Sequence, residues 1–278
     1  MITVEQKTIG KGHRYIVTGH DGMLDEEGKP IKMPSVTGVI GATDGSSTHI
    51  ISRWAVKQAI EYAKRGVAHG VHSEIGLQTV LDDARKQPDM VFKTAGARGT
   101  RIHKAIEEYL LNKPWKIHLD DESDDLAKIE TCFKKIRKWI LESGMKIMAT
   151  ELPIYHKDLL VGGAIDLVLS DNKSKIYVCD FKTGSGVYTK DALQVSGYVI
   201  SLISMLEDGV QLWDRYNATM PHGINLNKLS IGGAIFHIKE DSEEVDLKHV
   251  NVANGTVFGA AALLYTHQKS HSFHEVEL

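Results

Sequence analysis

Cysteine is scarce in this chain, which carries only two cysteines among its 278 residues. Cys132 and Cys179 lie far apart in sequence and in apolar surroundings. A disulfide framework, a four-cysteine zinc site and a four-cysteine iron–sulfur cluster are therefore excluded within one chain. Low cysteine use is typical of a reducing compartment. Long apolar runs and a basic-then-apolar N-terminal signal are also missing, so we expect a soluble cytoplasmic protein without a membrane partner.

An excess of basic charge is missing as well. The formal net charge is -3 and the sequence pI is about 6.5, which excludes a constitutive nucleic-acid coat protein. Any nucleic-acid contact would need a local basic channel. No Gly-x-x-x-x-Gly-Lys-Ser/Thr sequence is present, so we expect no ATP and no motor. With 42% hydrophobic residues, the chain is long enough for one large domain or two small ones.

Apolar periodicity predicts a helical first half and an α/β second half. We interpret the chain as one domain, 1–278, with an N-terminal strand and helical cap over about 1–145 and an α/β core over about 146–278. The first half begins with a strand at 12–19, a loop at 20–30, an apolar segment from Pro34 to near Gly41 and a loop at 42–49. Predicted helices lie at about 50–65, 72–86, 96–111, 123–142, 190–206 and 253–268. Predicted strands lie at about 147–156, 160–169, 175–182, 229–238 and 244–251, and a long connection covers 207–228.

Two acidic residues lie in neighbouring segments that have the pattern of buried strands. Asp166 lies within the segment 160–169, and Asp180 lies near the end of 175–182. The turn-forming residues 171–174 between them predict a hairpin, which places the two carboxylates on adjacent strands. Carboxylates that converge in a core are costly unless a cation neutralises them, and Mg²⁺ binds one or two carboxylates with water and phosphate. The alternative is that each Asp is a strand-end residue beside a turn.

A lysine follows Asp180 at the spacing that places two side chains on one side of a strand. Because strand side chains alternate with period two, Lys182 should point at whatever a metal at Asp180 holds. That arrangement suits cleavage of a phosphodiester. Glu151, in the strand before the hairpin, adds a further acid, or else it is a solvated or salt-bridged edge residue.

Two pairs of residues four apart share faces of predicted helices. Gln194 and Tyr198 lie on the helix after the strand that carries Lys182. Both could face the metal site; the alternative is that Tyr198 packs in the core while Gln194 is exposed. His103 and Glu107 border the apolar stripe of the 96–111 helix. His103 could bind a metal or phosphate and Glu107 could orient its imidazole; the alternative for both is a structural or solvated role.

In this order, these residues resemble the PD-(D/E)xK nuclease superfamily, and in particular an exonuclease branch that includes phage nucleases and the mitochondrial genome maintenance exonuclease. The resemblance runs from about residue 34 to 200. Several relatives carry four cysteines around an iron–sulfur cluster, which this chain cannot, and Ile165 stands where a literal Pro-Asp pair would have proline. The matching features are Pro34-Ser35-Val36-Thr37, Gly99-Thr100-x-Ile102-His103-x-x-Ile106-Glu107, Glu151, Gly163-x-x-Asp166, Asp180-x-Lys182-Thr183-Gly184 and Gln194-x-x-x-Tyr198.

The resemblance implies both a fold and a chemistry. The fold is α/β (α+β), with a mixed central β-sheet flanked by helices, a restriction-endonuclease-like core and a helical N-terminal cap. The chemistry is Mg²⁺- or Mn²⁺-dependent cleavage of DNA. The implied metal ligands are His103, Asp166, Asp180 and the backbone carbonyl of Phe181. The implied catalytic residues are Asp166, Asp180, Lys182, Glu151, Gln194 and Tyr198.

DNA is the partner that the resemblance implies, as single strands or with free ends, and recombination or replication proteins are further candidates. Lys134, Lys135, Arg137 and Lys138 lie on one helix and form either a phosphate track or a solvated face. Trp54 or Tyr188 could stack on a base, although buried packing is as good an explanation for Trp54. Contacts with DNA are expected at Ser35, Thr37, Arg98, Arg101, Lys104 and Thr183.

Three functions remain open at this point. The first is a metal-dependent DNA exonuclease that prefers single strands and serves phage or bacterial recombination, repair or replication, in the host cytoplasm if phage-encoded. The second is a structure- or sequence-specific endonuclease on the same site, which would cut closed circular DNA. The third is a non-catalytic DNA-binding or assembly subunit that keeps the fold, against which the intact Asp166, Asp180 and Lys182 argue.

Overall fold

A computed structural model of the chain describes residues 2–9, 12–43, 46–70, 73–111, 123–171, 174–210, 230–239, 242, 244–251 and 254–270. Asn172 and Lys173 of the predicted turn, and most of the predicted 207–228 connection, lie outside these ranges. The strands are β1 (Thr3–Ile9), β2 (Gly12–Thr18), β3 (Lys32–Pro34), β4 (Lys146–His156), β5 (Val161–Ser170), β6 (Lys175–Lys182), β7 (Ser230–His237) and β8 (Asp246–Val250). The helices are α1 (Val36–Thr43), α2 (Ser46–Ala68), α3 (Glu74–Leu110), α4 (Ser123–Ser143), α5 (Thr189–Glu207) and α6 (Asn254–Ser270). None of the helices in these ranges has the length and apolar composition needed to cross a membrane.

The chain divides into two compact units. The first comprises Met1–Thr43 and Ile102–Leu278, and the second comprises Asp44–Arg101. The centre of the first unit is a five-stranded sheet with the order β4-β5-β6-β7-β8. β6 and β7 are parallel and the other neighbouring pairs are antiparallel. Because parallel neighbours need a crossover connection, α5 between them packs on the sheet.

Apolar side chains cover both faces of the central sheet. Along β6, Ile176 and Val178 belong to one buried cluster, whereas Cys179 and Phe181 belong to another, as strand alternation requires. Residues of α1, α5 and α6 complete the first cluster. The end of α3, from Ile102 onward, and α4 complete the second. The predicted fold class, an α/β (α+β) fold with a mixed central sheet flanked by helices, is confirmed.

A separate antiparallel sheet, β1-β2-β3, packs on β4 and β5 in the same unit. The contact is close at Gly162, where an added Cβ would lie 2.3 Å from the Cβ of Tyr15. Ser35, which follows β3, forms a parallel bridge with the same glycine. Gly162 therefore allows β2 to approach β5 just before Asp166.

The second unit is a pair of helical segments, α2 and the part of α3 up to Arg101. Trp54 of α2 contacts Phe92 of α3 edge to face, with ring centroids 5.6 Å apart. Further along, Gly66 lies against Val80, because an added Cβ would be 2.6 Å from the valine Cγ1. These two contacts show that the segments run antiparallel and that Trp54 packs within this unit.

Two expectations for the first half of the chain are wrong, and one segment without a predicted secondary structure is a helix. The apolar segment after Pro34 is the helix α1, and residues 46–49 of the predicted 42–49 loop begin α2. The sequence of α1 is poor in helix formers, but Val36, Val39 and Ile40 are buried, so packing stabilises it. The helices predicted at 72–86 and 96–111 form the single helix α3, which continues through Pro88. One lost backbone hydrogen bond at a proline does not end a helix that is long on both sides.

Candidate active site

The two predicted strand carboxylates lie where β5 and β6 begin to separate. The antiparallel register of the two strands runs from Ser170 opposite Ile176 to Leu167 opposite Cys179, so Asp166 and Asp180 come next on β5 and β6. The backbone N–H of Phe181 donates to Asp166 Oδ2 over 2.8 Å, which holds this carboxylate between the two strands where they separate. Asp180 is 1% exposed. The predicted hairpin thus brings both acids to one end of the sheet.

Lys182 lies beside Asp180, as the period-two spacing predicts. Its Nζ is 2.6 Å from Asp180 Oδ2 and 3.9 Å from Asp191 Oδ1. Burial lowers the pKa of Lys182, but the charges of Asp180 and Asp191 outweigh that effect and raise it. The lysine is therefore an ammonium ion at neutral pH.

Gln194 and Tyr198 share a face of α5 and complete this network. Gln194 Nε2 donates to Asp180 Oδ1 over 2.8 Å and to the Tyr198 hydroxyl oxygen over 2.9 Å. Lys182 Nζ donates to Gln194 Oε1 over 3.1 Å. The amide therefore bridges the acid and the lysine. The Tyr198 ring fits against β5 because Gly163 has no side chain; an added Cβ would lie 2.7 Å from Tyr198 Cε1.

His103, near the end of α3, lies at the same place between β5 and β6. Its Nδ1 lies 3.5 Å from Asp166 Oδ2, and its ring contacts the Phe181 ring edge to face at 5.8 Å. Ile102 and Ile106 on either side of it are buried against the sheet, which turns the histidine toward β5 and β6. The suggestion that Glu107 orients this imidazole stays a prediction.

Glu151 lies in β4 in an unusual backbone conformation. Its φ is 47°, in the left-handed region that a residue with a side chain rarely adopts. Glu151 keeps an exposed surface, but partial loss of hydration, followed by the charges of Asp166, Glu107 and Asp180, raises its pKa to about 7. Strain of this kind is tolerated where the surrounding structure requires it and is common at functional sites.

The site carries more negative than positive charge. Burial, followed by the charge of Asp166, raises the pKa of Asp180 in spite of the Lys182 ammonium. Burial and the same two aspartates also raise the pKa of Tyr198, whose hydroxyl stays protonated. One ammonium ion therefore does not neutralise the carboxylates that meet here.

Three further residues adjoin the site that the sequence did not single out. Tyr15 of β2 packs on Gly162 of β5, and burial, with the charges of Glu151 and Asp166, raises its pKa to about 12. Asp191, 6% exposed, lies next to Lys182. His237 is 2% exposed and its Nε2 donates to Gly184 O over 2.9 Å, which holds the turn after the lysine. An acid in the first turn of a helix is a signal that could have found Asp191.

The donor set fits a divalent cation by its chemistry. Asp166 and Asp180 could supply carboxylate oxygens, with His103 and the Phe181 carbonyl beside them. An added positive charge would lower the raised pKa values of Asp180 and Glu151 and so favour their ionised forms. In the residues that the structure describes, no three His, Cys, Asp or Glu side chains form a ready-made metal cluster. Lys182 and the Phe181 amide hold the two aspartates instead.

Four of the six predicted DNA-binding residues belong to the first unit and two belong to the second. Ser35 caps α1, because its Oγ accepts from the Gly38 N–H over 2.9 Å and lies 3.1 Å from Thr37 Oγ1. Lys104 is exposed on α3, and Thr183 follows Lys182 directly. Arg98 and Arg101 belong to the second unit. DNA contact by all six stays a prediction.

One of the four basic residues considered as a phosphate track on α4, Lys135, is buried. Lys135 is 8% exposed and its Nζ donates to Lys239 O over 2.6 Å. Arg137 lies over the Tyr109 ring at 5.6 Å, and Lys134 pairs with Glu130 at 3.5 Å. Lys134, Arg137 and Lys138 are exposed, so the phosphate track and the solvated face both stay open.

Comparison with known proteins adds no assignment. No protein-family model matches the chain, and no curated protein matches it significantly.

Proposed function

We propose that this protein is a metal-dependent deoxyribonuclease with a restriction-endonuclease-like core. The observation that carries the proposal is the meeting of Asp166, Asp180 and Lys182 at one end of the central sheet, where Glu151 adds a further acid. A structural ion pair needs one acid and one base, whereas this site holds an excess of carboxylates. That excess is what a site for a divalent cation and a phosphate requires.

The residues divide the work of phosphodiester hydrolysis between them. Asp166 and Asp180, with His103 and the Phe181 carbonyl, would hold Mg²⁺ or Mn²⁺. Such an ion neutralises phosphate charge and lowers the pKa of a bound water. Lys182, as an ammonium ion, would stabilise the negative charge that develops on the phosphate oxygens. Gln194 keeps this lysine beside Asp180, and Tyr198 holds Gln194 in turn.

The cleavage mode is a finer part of the proposal. The resemblance to phage and mitochondrial exonucleases favours digestion of linear DNA from an end, with a preference for single strands. A role in phage or bacterial recombination, repair or replication, in the cytoplasm, has the same basis. An endonuclease on the same residues remains the alternative, and circular substrates separate the two.

The test is digestion of end-labelled single- and double-stranded oligonucleotides with Mg²⁺, with Mn²⁺ or with EDTA. We expect cleavage with either ion, none with EDTA, and loss of cleavage in the Asp180→Asn variant. Asp158→Asn is the matched control, because Asp158 is exposed in the turn after β4 and outside the network. A folded protein that cleaves neither substrate with either ion would overturn the proposal, and retained DNA binding would then favour a non-catalytic subunit.

A further inference from the structure

An exposed tyrosine lies at the beginning of α5, close to the candidate active site. Tyr188 has 54% of its surface exposed, whereas Tyr15 and Tyr198 beside the carboxylates are 4% and 5% exposed. Of the tyrosines in the described ranges, Tyr188 is the most exposed. A ring that stays in solvent gains little from hydrophobic burial, so core packing does not explain this residue.

The backbone of Tyr188 is tied to the catalytic-site lysine through one buried acid. Asp191 Oδ2 accepts from the Tyr188 N–H over 2.8 Å, and Asp191 Oδ1 lies 3.9 Å from Lys182 Nζ. The Asp191 N–H in turn donates to Tyr188 O over 3.0 Å. This reciprocal cap at the start of α5 fixes the position of Tyr188 relative to Lys182.

The ring itself rests on a glycine and has a cation beside it. A Cβ added to Gly186 would lie 3.2 Å from the Tyr188 hydroxyl oxygen and 3.3 Å from Cζ, so the ring lies against this residue. Ser185 Oγ is 3.4 Å from the same hydroxyl. Lys190 Nζ is 5.9 Å from the ring centroid, and Lys190 is exposed. The turn thus supports one part of the ring and leaves the rest, with an ammonium group nearby, open to a ligand.

We propose that Tyr188 is a base-stacking residue for the DNA strand whose phosphate lies at Lys182, and that Lys190 contacts a backbone phosphate of the stacked nucleotide. The inference rests on the proposed function and names a further contact of the same substrate. Stacking on a ring accepts every base, so this contact holds DNA without reading its sequence. An unpaired strand can present a base to the ring, whereas a duplex keeps its bases stacked, so the contact favours single strands.

The experiment compares two ligands that differ only in their bases. Fluorescence anisotropy measures binding of the full chain, in EDTA, to a labelled oligothymidylate and to a chain of equal length in which tetrahydrofuran replaces every base. The unaltered protein should bind the base-containing strand more tightly by about fivefold or more, the lower end of base–aromatic stacking. Tyr188→Leu should lose that preference, and Tyr188→Phe and Tyr188→Trp should keep it.

A matched control separates stacking from a general loss of an aromatic ring. Tyr177 also has a lysine over its ring, Lys175 at 4.9 Å, but lies toward the opposite end of β6. Tyr177→Leu should therefore leave the preference for bases unchanged. Binding of the tetrahydrofuran chain by Tyr188→Leu should stay at the level of the unaltered protein, because its phosphates are intact.

The outcomes distinguish this inference from the proposed function. If Tyr188→Leu keeps the preference for bases, or weakens binding of both ligands equally, stacking by Tyr188 is overturned while cleavage by the unaltered chain can still stand. If the unaltered chain neither binds DNA nor cleaves it with Mg²⁺ or Mn²⁺, the proposed function fails and the stacking inference fails with it.

Discussion

At the scale of single residues, Lys182 is the cation around which the site is arranged. Its ammonium group is 2.6 Å from Asp180 and 3.9 Å from Asp191, and it donates to Gln194. Removal of one partner from a buried ion pair leaves an uncompensated charge. Asp180 can relieve that charge by binding a proton, because its pKa is already raised. The fold should therefore tolerate changes at Lys182 better than catalysis does.

Lys182→Ala should lower turnover on labelled DNA by about 100-fold or more, as expected for loss of one preorganised electrostatic donor. Lys182→Arg keeps the charge and the stability but does not reproduce a compact ammonium, so its turnover should also fall. Lys175→Ala, at the other end of β6, is the matched control and should cleave normally. Thermal unfolding checks that each variant is folded, and near-normal turnover in folded Lys182→Ala would refute the mechanism.

Glu151 should make the stability of the metal-free protein depend on pH. Its pKa is raised from 4.5 to about 7 in the folded chain, so the folded state holds a proton that the unfolded state has already lost. Stability should therefore fall as pH rises from about 4.5 through about 7 and should not recover above that. Glu151→Gln should flatten this decline and be the more stable protein above pH 7. Unfolding in EDTA across this range is the measurement, and parallel curves for the two proteins would contradict the assignment.

At the scale of elements, two glycines let aromatic rings approach β5 just before its acid. An added Cβ would meet Tyr15 at Gly162 and Tyr198 at Gly163. Tyr15 comes from β2 and Tyr198 from α5, so the pair brings two elements against one strand. The glycines therefore position the surroundings of Asp166 without contacting a substrate.

Gly163→Ala should destabilise the protein by about 1–3 kcal/mol, because the new methyl group has to displace the Tyr198 ring. Gly41→Ala is the contrasting change, since Gly41 lies in α1 with open space around its Cα. That substitution should stabilise the protein slightly, as alanine does in a helix. Denaturant unfolding of both variants is the measurement. Equal stability of Gly163→Ala and the unaltered protein would show that the Tyr198 ring can adopt another position without cost.

The elements that the sequence predicted well are those whose own residues decide their structure. β4, β5, β6 and α5 lie within one or two residues of the predicted bounds, because their apolar periods are clear and turn residues delimit them. α1 was not predicted, because its stability comes from burial of Val36 against Gly197 of α5. β1 was also not predicted, since its pattern is polar and mostly exposed.

The same distinction applies to the site. Asp166, Asp180 and Lys182 could be found from one hairpin and one period of two. Tyr15 could not, because no local pattern says that β2 packs on β5. The raised pKa of Glu151 likewise depends on acids from β5, β6 and α3 that meet only in the folded chain.

At the scale of the whole molecule, any positive charge that attracts DNA has to be local to the site. The net charge of -3 gives no general attraction to DNA, so affinity has to come from the few cations near the site and from contacts such as a stacked base. A strand held in this way is bound by its backbone and not by its sequence. Cleavage should therefore show little sequence preference.

The last prediction concerns the ends of DNA. We expect linear single-stranded DNA to be degraded with Mg²⁺ and a covalently closed single-stranded circle of the same sequence to be spared, because a strand that is threaded past the site has to enter by an end. A roof over the site, formed by the N-terminal helices, would make such a passage; it stays a prediction from the long helical first half of the sequence and from the resemblance. The same circle, cut once before digestion, is the matched substrate and should be degraded fully. Lys182→Ala is the control protein: any digestion of DNA that it still shows does not come from this site. Equal digestion of circle and linear strand would favour the endonuclease, while leaving the carboxylates and the lysine as the cleaving group.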